Sequence, residues 1–572
     1  MKHLPAIDGL RAIAVLAVVA YHAGLPVPAG FIGVDVFFVI SGYVITRMLA
    51  AEHAQTGRID FAAFYARRVR RILPALAVVV LAVLAASVVL LGPVDRLAVV
   101  KSAVAAMAVS ANFHFQTVTG GYFDASADQM PLLHLWSLAV EEQFYFVWPL
   151  LLALLYRFRH SWPAMVTLAG ASFWLAQTWP QEAAFYQMPS RFWELALGGL
   201  IAFLPARSRA VYAYAGLALL FLAIAVPFQP FPGTGALPAC LGAALVIHAA
   251  HSGVSMPLLQ LRPVRTIGLI SYSLYLWHWP LLALAKAYRL DAPTLTDNLL
   301  LCGVAFILAA LSYRYVETPF RRHQATKVRM IGAGVGVCAL VAACAGCVGV
   351  ALAGDTSLAT RTALDAPQNA TCHALYDEAG CADADVMLWG DSHAKAWLPY
   401  AERFGKVHSL VAPGCTPSTG DPRDNCPDFN ARAVQIAKRG RIVVIGGFWT
   451  LRSNSPEARV MWSGVTKALA AVAPHVQQVI LMGPVPLLPY MPQKCIHAYD
   501  IAACSVSRAE YDAKAAKSRA FLKGQAALYP NVRYVEPANF FCNATVCPMM
   551  KDGYSLYWDD DHISMSAARN FR

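Results

Sequence analysis

Charge is what this chain has least of. Of 572 residues only 14% are Asp, Glu, Lys or Arg, 58% are hydrophobic, and the mean hydropathy is +0.47. Soluble domains carry about 25% charged residues, so a wholly soluble enzyme is excluded. Acidic residues are the scarcer sign, 34 against 46 Lys and Arg, which leaves a formal net charge of +12. No basic stripe is joined to aromatic stacking motifs, so the excess does not indicate a nucleic-acid partner. A cleavable leader is not evident either: the first apolar run continues straight into further ones and is expected to be a retained helix. Three of the four neighbouring cysteine pairs in the tail are wider than the Cys-x2-4-Cys spacing favoured by zinc, which argues against a metal site there.

The hydrophobicity is unevenly spread. Long apolar runs follow one another up to about Leu352, and an ordinary soluble composition begins after Ala353. The runs predict eleven spans, near 10–28, 31–50, 72–92, 134–157, 163–179, 192–206, 211–228, 235–250, 268–288, 297–316 and 330–353. Several are short of the ~20 residues a helix needs to cross a bilayer. With eleven spans, alternate loops hold Arg67, Arg68, Arg70 and Arg71; Arg157 and Arg159; Arg207 and Arg209; Arg262 and Arg265; and Arg321, Arg322, Lys327 and Arg329. That is the positive-inside pattern, with a cytoplasmic N-terminus and an extracytoplasmic tail. A twelfth span at 97–115 would break the alternation, so this stretch is expected in or on the outer surface.

Arg11 and His22 interrupt the first apolar run. Charged and titratable residues at membrane depth are costly and commonly face a cavity or a partner. Eleven residues at roughly 100° each return to nearly the same helix face, roughly 16 Å further on. The plainer alternative is an Arg snorkelling to headgroups and a His hydrogen-bonded within the bundle. Other polar residues recur: Asp35 in Gly33-Val-Asp-Val-Phe-Phe-Val-Ile-Ser-Gly42, Glu141 and Glu142 in Trp136-Ser-Leu-Ala-Val-Glu-Glu-Gln-Phe-Tyr145, Arg191 and Glu194 in Arg191-Phe-Trp-Glu194, and His278 in Tyr272-Ser-Leu-Tyr-Leu-Trp-His278. Singly, each reads as a satisfied bundle residue. Together, Asp35, Glu141, Arg191, Glu194 and His278 suggest a polar cavity. The run Arg67 to Arg71 is either a topology signal or a dock for an anionic ligand.

These motifs, with Arg-Arg-x-x-Arg-Ile-x-Pro at 67–74, resemble the acyltransferase-3 family over roughly residues 4–322. Its members are integral-membrane O-acyltransferases that modify surface glycans. The resemblance implies a cytosolic acyl-CoA donor, most often acetyl-CoA, and no bound cofactor. It implies Arg11 and His22 as the essential pair and Arg67, Arg68 and Arg71 as donor contacts.

The tail alternates β-like runs (Val386-Met-Leu-Trp, Ile442-Val-Val-Ile, Val479-Ile-Leu-Met, Val532-Arg-Tyr-Val) with helical stretches such as 456–473 and 508–527. That alternation predicts a parallel α/β sheet with helices on both faces. The first run enters Gly390-Asp-Ser-His393, which would expose Ser392 on a strand-to-helix turn, a place suited to a nucleophile. Trp558-Asp-Asp-Asp-His562 offers a base and its orienter as Asp-x-x-His. The alternatives are a capped turn with a solvated acidic loop, or a metal site at Asp559, Asp560 and Asp561. The two blocks resemble the SGNH hydrolase superfamily over roughly 384–572. That resemblance implies Ser392 as nucleophile, His562 as base, Asp559 as its partner, and the Ser392 and Gly414 amides as oxyanion donors. The family's Gly-x-Asn-Asp block is not visible; Gly446-Gly-Phe-Trp449 stands in its place and lacks the Asn. Eight tail cysteines (Cys372, Cys381, Cys415, Cys426, Cys495, Cys504, Cys542, Cys547) suggest disulfides and an oxidising compartment. Neighbour pairing is the simplest of the roughly 105 connectivities.

The expected architecture is a multi-pass α-helical membrane domain of about eleven spans followed by an extracytoplasmic α/β SGNH domain, flavodoxin-like and three-layered. Residues 1–322 form the transferase domain, 323–353 one more span, 354–384 a linker or extension, and 385–572 the SGNH domain. The setting is a bacterial inner membrane, with lipid, acyl-CoA and a surface glycan or lipid-linked oligosaccharide as partners. The expected activity is acyl transfer to a surface polysaccharide or lipopolysaccharide O-antigen. An esterase tail, or a non-enzymatic glycan transporter with a binding tail, are the alternatives.

Overall fold

The computed structural model describes the chain except residues 1–2, 120–126, 158–160, 324, 354–356, 371, 374–380, 382, 420–425, 453–457 and 498–499. It divides into two compact units, essentially residues 1–354 and 355–572.

The first unit is helical. Among the described residues, eight helices are long and apolar enough to cross a membrane. Three of the eleven expected spans fall on helices outside this set: Ser161–Thr178, at 18 residues as long as the first spanning helix, is not apolar enough, and Met188–Ile201 and Ala210–Ala225 have only 14 and 16 residues. At 1.5 Å per residue the last two reach only about 21–24 Å, less than the ~30 Å hydrocarbon core. The stretch 97–115 is split between two short helices, Pro93–Met107 and Ala111–Val118, so it forms no single span.

Helix α1 runs over Pro5–His22, five residues earlier than the apolar run suggests. Pro5 opens it, because a first-turn proline loses no helical hydrogen bond. Gly24 at φ +84° and the prolines at 26 and 28 prevent its continuation. His22 therefore lies in the last turn. Helix α2 spans Gly33–Thr56, and helix α3 spans Phe61–Leu90 behind an Asp60 cap that accepts from Ala63 N at 2.9 Å. The Arg262–Tyr288 helix packs along α1. Gly268 allows the contact: a Cβ there would sit 1.8 Å from the Asp8 carbonyl oxygen. Small residues let membrane helices approach this closely.

The second unit holds a five-stranded parallel sheet. Its strands are β1 (Val386–Gly390), β2 (Val407–Val411), β3 (Ile442–Gly446), β4 (Gln478–Met482) and β6 (Val532–Val535), in the order β2-β1-β3-β4-β6. The short β5 (Val506–Ser507) pairs elsewhere, with Val546–Cys547. Every residue of β1 is buried, as a parallel strand covered on both faces should be. The helices Ala458–Val472 and Arg508–Ala526 lie close to the two helical stretches expected. Strand β2 was not anticipated, because His408 and Ser409 interrupt its apolar run. Both are buried, and Ser409 N donates to Cys372 O at 2.9 Å beyond the sheet edge. The eight cysteines pair as Cys372–Cys381, Cys415–Cys426, Cys495–Cys504 and Cys542–Cys547. The Leu358–Leu364 helix belongs to this unit: Trp558 Nε1 donates to Ala363 O at 3.1 Å, and Ser566 N to Asp365 at 3.1 Å.

Candidate active site

In the helical unit a cavity of about 610 Å³ opens between α1, α2, α3 and the Arg262–Tyr288 helix. Seven arginines line it: Arg11, Arg47, Arg67, Arg68, Arg70, Arg71 and Arg321. Among the described residues two carboxylates do so, Asp8 and Glu141. The excess of guanidinium suits a ligand with several phosphate groups, which arginine forks bind bidentately. Arg67 is already paired with Glu52 at 2.9 Å, and Arg68 lies over the Phe64 and Tyr145 rings. Ser41 and Tyr145 both donate to Glu141 in the cavity wall. Arg47 and Arg321 come from α2 and the stretch after 312. Neither belongs to the basic run at 67–71, so sequence spacing did not single them out.

Of the polar bundle residues, Glu141 lines this cavity, whereas Asp35, Arg191, Glu194 and His278 do not. Asp35, Arg191 and Glu194 form a separate ion triad. Arg191 Nη2 meets Asp35 Oδ1 at 3.0 Å and Arg191 Nη1 meets Glu194 Oε1 at 3.2 Å, with all three side chains about 1% exposed or less. The guanidinium lies over the rings of Phe38, Trp136, Phe185 and Phe231. The triad departs from the expected open cavity because opposite charges at this depth are best satisfied by one another. His22 and His278 meet instead, Nδ1 to Nε2 at 3.1 Å, and Trp279 sets its ring edgewise to His22.

In the second unit the sheet order reverses around β1, the place where open α/β sheets bind ligands at their strands' C-terminal ends. Gly390 ends β1 at φ +151°, and a Cβ there would lie 1.9 Å from Gly446 O. Asp391 then caps the Ser392–Ala396 helix by accepting from His393 N at 2.9 Å, and its other oxygen accepts from Phe448 N at 2.8 Å. Ser392 Oγ is thereby held 2.8 Å from His562 Nε2. His562 Nδ1 faces two carboxylates, Asp559 Oδ2 at 2.9 Å and Asp561 Oδ1 at 2.6 Å. Burial alone would lower the His562 pKa, but the hydrogen bonds it donates to the Asp559 and Asp561 carboxylates push it up to about 10. Burial likewise works against ionised Asp561, yet hydrogen bonds from His393 and His562 hold its carboxyl well below the usual range.

Asp561 as a second partner of His562 was missed, because the Asp-x-x-His spacing selects Asp559. His393 was missed too: it is buried, stacks on Phe448 at 4.1 Å and lies 3.7 Å from Asp561. Gly414, at φ +77°, sits in the turn after β2, the neighbour of β1. Phe448, in the segment that stands for the Gly-x-Asn-Asp block, supplies a ring where that block would carry an amide side chain. The clusters Asp559–Asp560–Asp561 and His393–Asp561–His562 are compact enough to share an ion, but hydrogen bonds to His562 already engage Asp559 and Asp561.

The chain therefore joins an apolar helical bundle with an arginine-lined cavity to an α/β unit with a Ser-His-Asp arrangement. It belongs to the family whose model is described as an acyltransferase domain, which matches residues 4–314. Residues 359–572 match the model described as the SGNH domain fused to AT3 domains. The chain is similar to the peptidoglycan O-acetyltransferase OatA of Listeria monocytogenes, 32% identical over 351 residues, covering 56% of this chain and 56% of that protein. It thus spans about half the length of the curated relatives it matches. Among solved structures, the periplasmic domain of the lipopolysaccharide acetyltransferase of Salmonella ser. Paratyphi A matches 38% of this chain and 94% of that one, with 13% identity and a TM-score of 0.29.

Proposed function

We propose that this chain is a membrane O-acyltransferase, in the first instance an O-acetyltransferase, that moves an acyl group from cytosolic acyl-CoA to a hydroxyl of a surface glycan. The observation that carries this reading is Ser392 at 2.8 Å from a carboxylate-backed His562, in a chain whose other unit holds an arginine-lined cavity. Arg11, Arg67, Arg68 and Arg71 bind the donor phosphates. His22 acts as base or transient acyl carrier in the bundle. The alternating arginine loops support a cytoplasmic N-terminus and an extracytoplasmic second unit, with eleven crossings in all.

At Ser392 the chemistry is acyl exchange. His562 takes the hydroxyl proton as the serine oxygen attacks the incoming acyl carbon, and returns it to the departing group. The Ser392 and Gly414 amides support the oxyanion. The acceptor sugar hydroxyl then loses its proton to His562 and takes the acyl group from Ser392. Transfer prevails over hydrolysis when the bound sugar excludes water. The Listeria relative has peptidoglycan in its name. Peptidoglycan is therefore the acceptor to examine first, beside lipopolysaccharide O-antigen.

Cells carrying Ser392→Ala in the full chain test this reading. Mass spectrometry of ester-linked acetate on both glycans should show it lost from one of them. Unchanged acetylation of both would sink the role of Ser392. An esterase would instead leave more acetate in the variant than in the wild type.

A further inference from the structure

His278 is a buried titratable group of the bundle that the reaction above leaves without a task. Its Nδ1 lies 2.8 Å from the Tyr275 carbonyl oxygen and 3.2 Å from that of Leu274. Carbonyl oxygens only accept, so Nδ1 carries the hydrogen. In a neutral imidazole the other nitrogen is then an acceptor. That acceptor, Nε2, faces His22 Nδ1 at 3.1 Å. His22 must supply the donor, which puts its hydrogen on Nδ1 and its lone pair on Nε2. Ring packing holds the pair: the imidazoles are within 16° of parallel, and Trp279 lies 4.5 Å from His22, edge to face.

We infer that His278 is the positioning residue for His22. It fixes the Nδ1–H tautomer, directs the reactive lone pair to Nε2, and accepts the Nδ1 proton as His22 reacts. This rests on the role given to His22 above. As a base, His22 Nε2 takes the acceptor's proton. As an acyl carrier it forms an N–C bond while the thioester C–S bond breaks and the thiolate leaves. Either event makes His22 a cation. Passing the Nδ1 proton to His278 Nε2 neutralises His22, and the charge then rests on a ring whose Nδ1–H is held by two carbonyls. When Nε2 gives up its group, the proton returns, so this exchange within the pair brings in and releases no proton. The arrangement parallels a hydroxyl–His–carboxylate relay, with a second imidazole in place of the carboxylate.

The experiment compares His278→Asn with His278→Gln in the full-length protein. The Asn amide reaches only the Nδ1 position, so it can serve the Tyr275 carbonyl but withdraws the acceptor from His22. The Gln amide reaches the Nε2 position and restores that acceptor. Membrane vesicles receive radiolabelled acetyl-CoA, and base-labile label is counted in peptidoglycan and lipopolysaccharide per folded protein. General acid–base assistance is worth about 10²–10⁴-fold, so Asn should fall about 100-fold or more, whereas Gln, which restores the hydrogen-bond acceptor and the tautomer but cannot take up a proton, should fall less, by about 10-fold. A purely structural role would rank the two together, and that result overturns the inference. His22→Ala is run alongside. If it remains active, the reading of His22 itself fails; if it is inactive while Asn is not, only the role of His278 fails. Nitrogen-15 spectra of the wild type should show His22 protonated on Nδ1 and bare on Nε2; the reverse overturns the inference whichever variants fold.

Discussion

Asp561→Asn probes the second carboxylate on His562. Asp559 and Asp561 together lift this histidine from an ordinary 6.5 to about 10. If the two share the effect evenly, removing one negative charge should bring the midpoint to about 8, or about 3 kcal/mol at roughly 1.36 kcal/mol per pH unit. The assay is the rate at which a fluorophosphonate labels Ser392 in detergent-solubilised full-length protein, followed from pH 6 to 11. Labelling needs neutral His562. Each rate is expressed as a fraction of that protein's own alkaline plateau. At pH 8 the wild type should reach about 1% of its plateau and the variant about half. A midpoint that stays within half a pH unit of the wild type, or moves upward, refutes the shared-carboxylate reasoning. The sign for stability follows from the same binding. His562 holds its proton more tightly when folded, so its contribution is complete below about 6.5 and is lost as pH rises through about 10. The thermal midpoint of the second unit should therefore fall further over that window in the wild type than in Asp561→Asn.

Arg71→Ala should raise the KM for acetyl-CoA about 10–100-fold, the equivalent of one charge-assisted hydrogen bond of about 1.5–3 kcal/mol, with a smaller effect on kcat; donor titration checks this, and an unchanged KM removes Arg71 from the donor site. Gly268→Ala drives a methyl group into the Asp8 carbonyl, so α1 and the Arg262–Tyr288 helix must separate at a cost of about 1–3 kcal/mol or more. Fluorescence-detected size exclusion should show less monodisperse protein. Replacing both Cys495 and Cys504 by Ala opens a short loop and should cost about 2–3 kcal/mol, read as a lower thermal midpoint of the second unit.

Much of this molecule is legible along the chain because its signals are local. Apolar runs mark the helices of the bundle, and four of the five sheet strands are β-like runs, of which only Val532–Val535 is broken by a charge, Arg533. Gly390-Asp-Ser-His393 and Asp559-x-x-His562 are short-range patterns, and the fold brings Ser392 and His562 together. What escapes sequence reading depends on distance or on packing. Strand β2 hides behind His408 and Ser409, which are polar yet buried at a covered edge. Asp35 and Arg191 are 156 residues apart, and nothing in their spacing says that they neutralise one another instead of opening a cavity. Arg47 and Arg321 join the arginine cavity only through tertiary packing. The start of α1 was misplaced because Asp8 reads as a polar boundary, whereas it lies buried inside the first turns.

The four disulfides have a consequence for how the second unit matures. Each joins a cysteine to the next one along the chain, across separations of only 9, 11, 9 and 5 residues. On the proposed extracytoplasmic placement of this unit, the polypeptide is threaded through the membrane N-terminus first and presents its thiols one at a time. An oxidant that simply links each newly arrived thiol to the one before it would produce the native set, with no reshuffling and no need to await the sheet. Cross-linking in this unit is therefore decoupled from its long-range topology, and the order in which the chain emerges is itself the pairing code.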